Sequence, residues 1–301
     1  MYDIIVIGGG PAGLTAAIYA RRADKSVLVI EKDTFGGQIT YSPKVENYPG
    51  FAEMSGNEFA DKLLDQALGQ GAEIELAKVT AVEDAGDFKK VVTEDGEFEA
   101  KAVIIAAGAR HRMLGAPGEE ALVGHGISFC AVCDGAFYKG LDVAVIGGGN
   151  SALQEALLLA ETSKSVTVVQ NLENLTGEAR LQAALSEKAN VNVICGSVVK
   201  EFLSENGKLT GVVITGEDGE RTLTVDGVFV AIGLVPENHP FENLADLNSY
   251  GYFDTDESCL TKTPGVFVAG DCRSKRIRQI TTACADGAVA ALAACDYIDN
   301  R

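Results

Sequence analysis

Cys130 and Cys133 stand two residues apart, and Asp134 follows directly, in Cys130-Ala131-Val132-Cys133-Asp134-Gly135. Thiols at that spacing close into a disulfide with little backbone movement. In a chain without secretory features the spacing reads as a redox pair. The adjoining carboxyl can give or take a proton as the pair opens and closes. Half of a zinc site is the rival reading. There is no second Cys-x-x-Cys, His125 is the only histidine close by in sequence, and no metal site is expected. Cys195, Cys259, Cys272, Cys284 and Cys295 are scattered and read as small buried residues in a reducing compartment.

A second chemistry is written in glycine. The apolar run at residues 2–7 leads into Gly8-Gly9-Gly10-Pro11-Ala12-Gly13, and a helical pattern continues through residue 22. A second strand, residues 26–30, ends at Glu31, the distance suited to an acid that binds a ribose hydroxyl. Gly8 permits the turn, Gly10 lets backbone approach a pyrophosphate, and Gly13 lets helix and strand pack closely. The helix start then offers its free N–H groups and dipole to phosphate. Residues 141–146 repeat the opening, running into Gly147-Gly148-Gly149-Asn150-Ser151-Ala152, a helix over 152–161 and a strand over 165–169. This is an internal repeat of a dinucleotide-binding unit.

The rest of the chain must position these groups. Loops at Phe35-Gly36-Gly37-Gln38 and Val45-Glu46-Asn47-Tyr48-Pro49-Gly50 lie where ligand contacts tend to sit. Residues 56–70 read as an amphipathic helix, 72–104 as short strands, and 101–107 as an apolar strand. A linker is expected near 113–118, with His111 beside it solvated and without a role. Residues 190–230 read as strands with turns at 205–208 and 217–220, followed by an exit linker at 232–236. A strand at 265–271, a basic stretch and a helix over 279–297 close the chain. The expected fold class is α/β, two Rossmann-like dinucleotide-binding domains with the second inserted in the first. The boundaries are 1–112 with 246–301 for the first domain and 113–245 for the second.

The chain has 301 residues, 47% of them hydrophobic, with 34 glycines, which allows two domains with real cores. Its net charge of −18 makes nucleic acid and anionic membrane poor partners. No apolar run approaches the roughly 20 residues a membrane span needs. The chain begins directly on a strand pattern, so no signal peptide and a cytoplasmic location are expected.

Two Rossmann-like units with the Cys130–Asp134 segment between them resemble the low-molecular-weight thioredoxin reductases over essentially the whole chain. The Gly36-Gly37-Gln38 and Glu46-Asn47-Tyr48-Pro49-Gly50 loops, Gly270-Asp271 and Arg278-Gln279 belong to the resemblance. It implies that the first and last segments bind FAD. Gly8, Gly10, Pro11, Ala12, Gly13, Glu31 and Lys32 would serve its nucleotide end. Gly36, Gly37, Gln38 and Asn47 would lie near the isoalloxazine, and Asp271 would hold the ribitol. Ala107, Gly108, Gly270, Arg278 and Gln279 complete the implied cofactor set. Cys133 would face the flavin, Cys130 would exchange with the thioredoxin disulfide, and Asp134 would be the proton donor. A homodimer is implied as well.

The chain departs from this family in its second unit. Members that use NADPH carry Asp-Ser-Ala after the second glycine triplet and a His-Arg-Arg-x-x-x-Arg run after the next strand. Here stand Asn150-Ser151-Ala152 and Gln170-Asn171-Leu172-Glu173-Asn174-Leu175-Thr176. Nothing from Gln170 through Ala179 is basic, whereas a 2′-phosphate needs cationic or bidentate donors. Gln170 occupies the place of Glu31, so NADH is not clearly served either. The second turn is therefore expected to persist only as a tight strand-to-helix connection. This pattern resembles the ferredoxin-dependent flavin thioredoxin reductases, which imply reduced ferredoxin as donor and thioredoxin as acceptor. The net charge opposes an acidic ferredoxin, unless Arg273, Lys275, Arg276 and Arg278, with Arg110 and Arg112, form a local basic patch. The competing readings are the same reductase fed by NADH or NADPH, a flavin dithiol oxidase using oxygen, and a non-enzymatic flavin redox sensor.

Overall fold

A computed structural model describes residues 1–42 and 44–301. The chain forms two units, Met1–Arg110 with Val235–Arg301, and His111–Leu234. The first opens with β1 (Tyr2–Ile7), α1 (Pro11–Arg22) and β2 (Val27–Glu31). Pro11 sits at the first helical position, where its missing N–H costs nothing. α2 (Gly56–Gly69) starts at Ser55, whose hydroxyl accepts the Glu58 N–H at 3.1 Å. Then follow β3 (Glu73–Leu76), β4 (Val79–Asp84), β5 (Lys89–Thr93) and β6 (Glu97–Ile105). β3, β2, β1 and β6 run parallel, while β5 and β4 join antiparallel. Ile4 and Val6 enter one buried cluster and Ile5 and Ile7 another, so β1 is covered on both faces. That is why it reads as an unbroken apolar run instead of an alternation.

β7 (Ala109–His111) leads into the second unit, which continues with α3 (Glu119–Leu122), β8 (Ile127–Ser128) and the single turn α4 (Ala131–Asp134). β9 (Asp142–Ile146), α5 (Asn150–Ala160), β10 (Ser165–Val169), α6 (Ala179–Ser186) and β11 (Val191–Ile194) follow. β12 (Val198–Glu205), β13 (Lys208–Gly216) and β14 (Gly219–Thr224) make an antiparallel sheet of their own. β15 (Gly227–Val230) returns to the parallel sheet, whose order is β11-β10-β9-β15-β8. The cysteine pair thus follows directly on an edge strand of this sheet. The architecture is the α/β one expected, with a Rossmann-like sheet in each unit, wholly parallel in the second and with the antiparallel β5 and β4 added in the first.

β16 (Leu234–Pro236) carries the chain out again, and it pairs with β7. The return to the first unit falls at Val235, ahead of the expected 246. Phe241, Leu244 and Ala245 join the cluster of Ile5 and Ile7, which fixes this segment there. β17 (Val266–Val268) then pairs parallel with the second half of β6, on the edge whose first half takes β5. α7 (Ile280–Asp299) packs on α1, and a Cβ at Gly287 would come within 2.1 Å of the Ala12 carbonyl oxygen. Only glycine allows that approach.

Candidate functional site

In the second unit Cys130 and Cys133 form a disulfide, with Cα atoms 5.3 Å apart. Cys130 caps α4, and its Sγ accepts the Cys133 N–H at 3.2 Å. Val132, between the two cysteines, is 61% exposed, so the pair lies on an accessible turn. The Asp134 carboxyl accepts the Ser128 hydroxyl on Oδ2 at 2.6 Å, while Oδ1 is buried without a partner. Burial pushes this carboxyl above the usual range, and the Ser128 bond pulls against it. Burial therefore favours the protonated form of this carboxyl relative to an exposed aspartate. Ser128 also accepts the Cys130 N–H at 3.1 Å. Its role was not signalled beyond its place two residues before a redox cysteine. His111 is not solvated as the linker reading had it. Its ring stacks on Phe129 with centroids 4.6 Å apart, and burial lowers its pKa to about 4.

In the first unit the opening turn has the expected build. Gly8 has φ 108°, and a Cβ there would meet the Ala106 oxygen at 2.3 Å. A Cβ on Gly13 would lie 1.8 Å from the Gly8 oxygen. Gly10 caps α1 with no side chain over it, and nothing lies closer than 3.8 Å to where its Cβ would stand. The start of α1, Pro11 and Ala12 included, therefore presents bare backbone. Glu31 is 8% exposed; Oε2 accepts the Gly9 N–H at 2.7 Å, and Oε1 accepts the N–H groups of Lys32 and Asp33 at 2.8 and 2.9 Å. A carboxylate offers about four acceptor positions, so one remains for a hydroxyl. The Lys32 ammonium is paired with Glu237.

The Gly36-Gly37-Gln38 loop lies against this turn: the Gly36 N–H donates to the Gly9 oxygen at 2.8 Å, and a Cβ on Gly37 would touch Gly10 Cα at 3.4 Å. Asn47 Nδ2 donates to Gln279 Oε1 at 3.2 Å, joining the loop to the cap of α7. Ala107 and Gly108 follow β6 and offer their N–H groups to Cys272. Gly270 (φ 81°) would strike Ala12 if it carried a Cβ. Asp271 Oδ1 is buried and unpartnered, and burial raises the carboxyl against the pull of Lys275 and Arg278. Arg278 lies over the Tyr252 ring at 4.2 Å. The structure thus brings the first turn, the Gly36 loop, Asn47, Asp271 and Gln279 into one unit.

The basic stretch does not form an open patch. Arg273 and Lys275 are turned inward onto Asp286, and Arg110 pairs with Asp33 at 2.8 Å. Of the stretch from Arg273 to Arg278 only Arg276 is exposed among the cations; Arg112, in the other unit, is exposed as well. Burial alone would raise Asp286, but bonds from Arg273 and Lys275 hold it below the usual carboxylate range. Asp286 was missed, and its one signal is an acid within the small-residue helix stretch Ala283–Ala294.

The second glycine turn shares its backbone with the first. Gly147 has φ 132°, and the Gly148 oxygen accepts the Thr176 N–H at 2.8 Å, as the Gly9 oxygen accepts Gly36. The side chains differ. Gln170 is spent on its own loop, Oε1 accepting the Asn171 N–H at 3.1 Å and Nε2 donating to the Asn174 oxygen at 3.4 Å. Asn150, first in α5, takes the Glu178 N–H on Oδ1 at 2.7 Å and donates from Nδ2 to Glu178 Oε1 at 3.1 Å. A carboxylate therefore lies beside the helix start, where a pyrophosphate would otherwise bind.

A family described as pyridine nucleotide-disulphide oxidoreductase matches residues 2–287. Thioredoxin reductase of Bacillus subtilis strain 168 is 43% identical over 304 residues, covering 100% of this chain and 96% of that protein. A 34.2 kDa protein in a rubredoxin operon of Clostridium pasteurianum is 43% identical over 301 residues, covering 99% of this chain and 98% of that one. The crystal structure of thioredoxin reductase from Streptococcus pyogenes MGAS5005 superposes with a TM-score of 0.96 at 42% identity, over 100% of this chain and 99% of that chain.

Proposed function

The chain belongs to the pyridine nucleotide-disulphide oxidoreductase family and is a FAD-dependent disulfide oxidoreductase of the thioredoxin reductase kind, and from that premise we propose that reduced ferredoxin, not a pyridine nucleotide, feeds it, and that Cys130 and Cys133 pass the electrons to thioredoxin. The observation that carries the donor reading is the second turn. No cation stands between Gln170 and Ala179, and Glu178 holds the start of α5 through Asn150. These residues do not fit the 2′-phosphate of NADPH, and Glu178, with Arg180 3.9 Å away on its other oxygen, sets a carboxylate beside a pyrophosphate. Docking of an acidic ferredoxin would have to use Arg276, Arg112 or other exposed cations, since Arg273 and Lys275 are buried.

The first unit's residues fit FAD: a bare helix start, a spare acceptor on Glu31 and an orphaned buried oxygen on Asp271. When bound, FAD collects electrons from a donor and delivers a pair to a disulfide. Gly8, Gly10, Pro11, Ala12 and Gly13 would seat its pyrophosphate, Glu31 a ribose hydroxyl and Asp271 a ribitol hydroxyl. Gly36, Gly37, Gln38 and the Asn47–Gln279 pair would wall the ring, with Lys32, Ala107, Gly108, Gly270 and Arg278 supporting. Asp134 holds the proton that the opening pair needs. Cys130 attacks the thioredoxin disulfide, and Cys133 releases the mixed disulfide by closing on Cys130. Cys133 serves the cofactor side. The same reading makes the protein a cytoplasmic homodimer. No helix among the described residues is long and apolar enough to cross a membrane.

The test is an anaerobic titration of the FAD-loaded protein with NADPH, NADH and photoreduced ferredoxin in turn, with and without oxidised thioredoxin. Bleaching of the flavin band by ferredoxin alone, followed by thioredoxin reduction, is expected. Rapid bleaching by either nucleotide overturns the donor. Oxygen uptake on adding small dithiols, with thioredoxin left oxidised, overturns the acceptor in favour of a dithiol oxidase.

A further inference from the structure

We propose that Ser128 is a positioning residue for the proton step at the cysteine pair: its hydroxyl orients the Asp134 carboxyl so that Oδ1, not Oδ2, carries the proton. The inference rests on the reductase reading for what the pair does, and on geometry for the rest.

Ser128 closes β8 and is 5% exposed, with its backbone paired to Phe229 of β15. Its hydroxyl has one hydrogen and two acceptor positions. The hydrogen goes to Asp134 Oδ2 at 2.6 Å, and an acceptor position takes the Cys130 N–H at 3.1 Å. Both partners lie within the same turn, so the hydroxyl is held from two sides. A proton on Oδ2 would meet the hydroxyl hydrogen head-on. Oδ1 has no hydrogen-bond partner, so a proton there is not tied up in a bond, and the titratable group that feels the Asp134 charge is Tyr138. The same serine oxygen is bonded to the backbone of Cys130, so acid and thiol are set by one atom.

The step balances. Two electrons from the reduced cofactor break the Cys130–Cys133 S–S bond. One sulfur takes the proton from Asp134 Oδ1, the other is left as thiolate, and solvent returns a proton to the carboxylate. Asp134 is the acid, and Ser128 acts through it.

The test compares Ser128→Ala and Ser128→Thr in the FAD-loaded protein. The first readout is the Asp134 titration midpoint in the oxidised state, followed by carboxyl carbon-13 NMR and assigned with Asp134→Asn. The second is the pH profile of thioredoxin reduction. Losing the hydroxyl removes a bond that favours the carboxylate. Ser128→Ala should therefore raise the midpoint, move the alkaline limb of the profile upward and lower the rate about tenfold or more. Ser128→Thr should restore all three. An unchanged midpoint in Ser128→Ala overturns the proposal. So does a threonine variant that behaves like alanine while keeping FAD and the parental melting temperature. If the parent protein fails to reduce thioredoxin, the functional reading falls on its own, and the NMR midpoint still decides the role of Ser128.

Discussion

Arg273 and Asp286 meet as a bidentate pair, Nε on Oδ2 and Nη2 on Oδ1, both at 2.8 Å. Lys275 adds a bond to Oδ2 at 2.8 Å and the Gly270 N–H another at 2.9 Å. One carboxylate thus balances two buried cations and holds the backbone beside Asp271. Asp286→Ala would take the carboxylate from Lys275 and leave Arg273 only the exposed Glu257, 3.3 Å from Nη2, and the expected loss is about 3–5 kcal/mol. Urea unfolding of the FAD-loaded protein checks it. A loss below about 1 kcal/mol would mean that the pair behaves as a solvated one.

Nucleotide recognition should be restorable at the second turn. Asn171→Arg, Leu172→Arg and Thr176→Arg together, with Glu178→Ser, supply cations where the NADPH-using relatives carry them and remove the carboxylate from α5. Each charge-assisted bond to phosphate is worth about 1.5–3 kcal/mol. NADPH should then bind measurably in calorimetry and more tightly than NADH, while the parent binds neither. Equal affinity for the two would show that the loop does not reach the 2′-phosphate.

Glu155 sits in α5 with Oε2 buried and unpartnered, and burial pushes its pKa from 4.5 to about 8. Between those values the folded chain keeps a proton that the unfolded chain releases. Stability should therefore fall as pH rises through that window. Glu155→Gln removes the slope, and its advantage at pH near 8 should be on the order of a few kcal/mol. Chemical denaturation across pH reads the difference directly, and parallel curves for the two proteins would contradict it.

His111 works in the opposite direction. Its pKa falls from 6.5 to about 4 on burial, so the unfolded chain binds the extra proton between them. Stability is complete above 6.5 and declines as pH drops toward 4. His111→Phe keeps a ring against Phe129 and should flatten that acid-side decline. A variant with the parental acid slope would place the titrating group elsewhere.

What was legible in the sequence was local. Gly8 to Glu31 and Gly147 to Gln170 each lie within one strand-helix-strand run, where apolar periodicity and turn residues speak for themselves. The disulfide needed only two positions. Partners distant in sequence were not legible. Nothing near Arg273 and Lys275 announces Asp286 on α7, so the sequence does not show that these two members of the candidate patch turn inward. His111 looked like linker because Phe129, its stacking partner, lies in another segment. The return at Val235 was hidden because short segments such as residues 235–245 carry no periodicity to show which core they enter.

The insertion also orders events during synthesis. The Val103–Ile105 edge of β6 has no partner until β17, at Val266–Val268, has been made. At about 5–20 residues per second that interval is on the order of ten seconds, within which all of residues 111–234 emerge. The inserted unit can therefore complete its sheet while its host is still waiting for its last strand and helix. Chains stalled on the ribosome near position 270, with residues up to about 234 outside the exit tunnel and β17 still within it, should resist protease across 111–234 and be cut in the first segment. The host domain matures last, although its first 110 residues are born before any of the inserted unit.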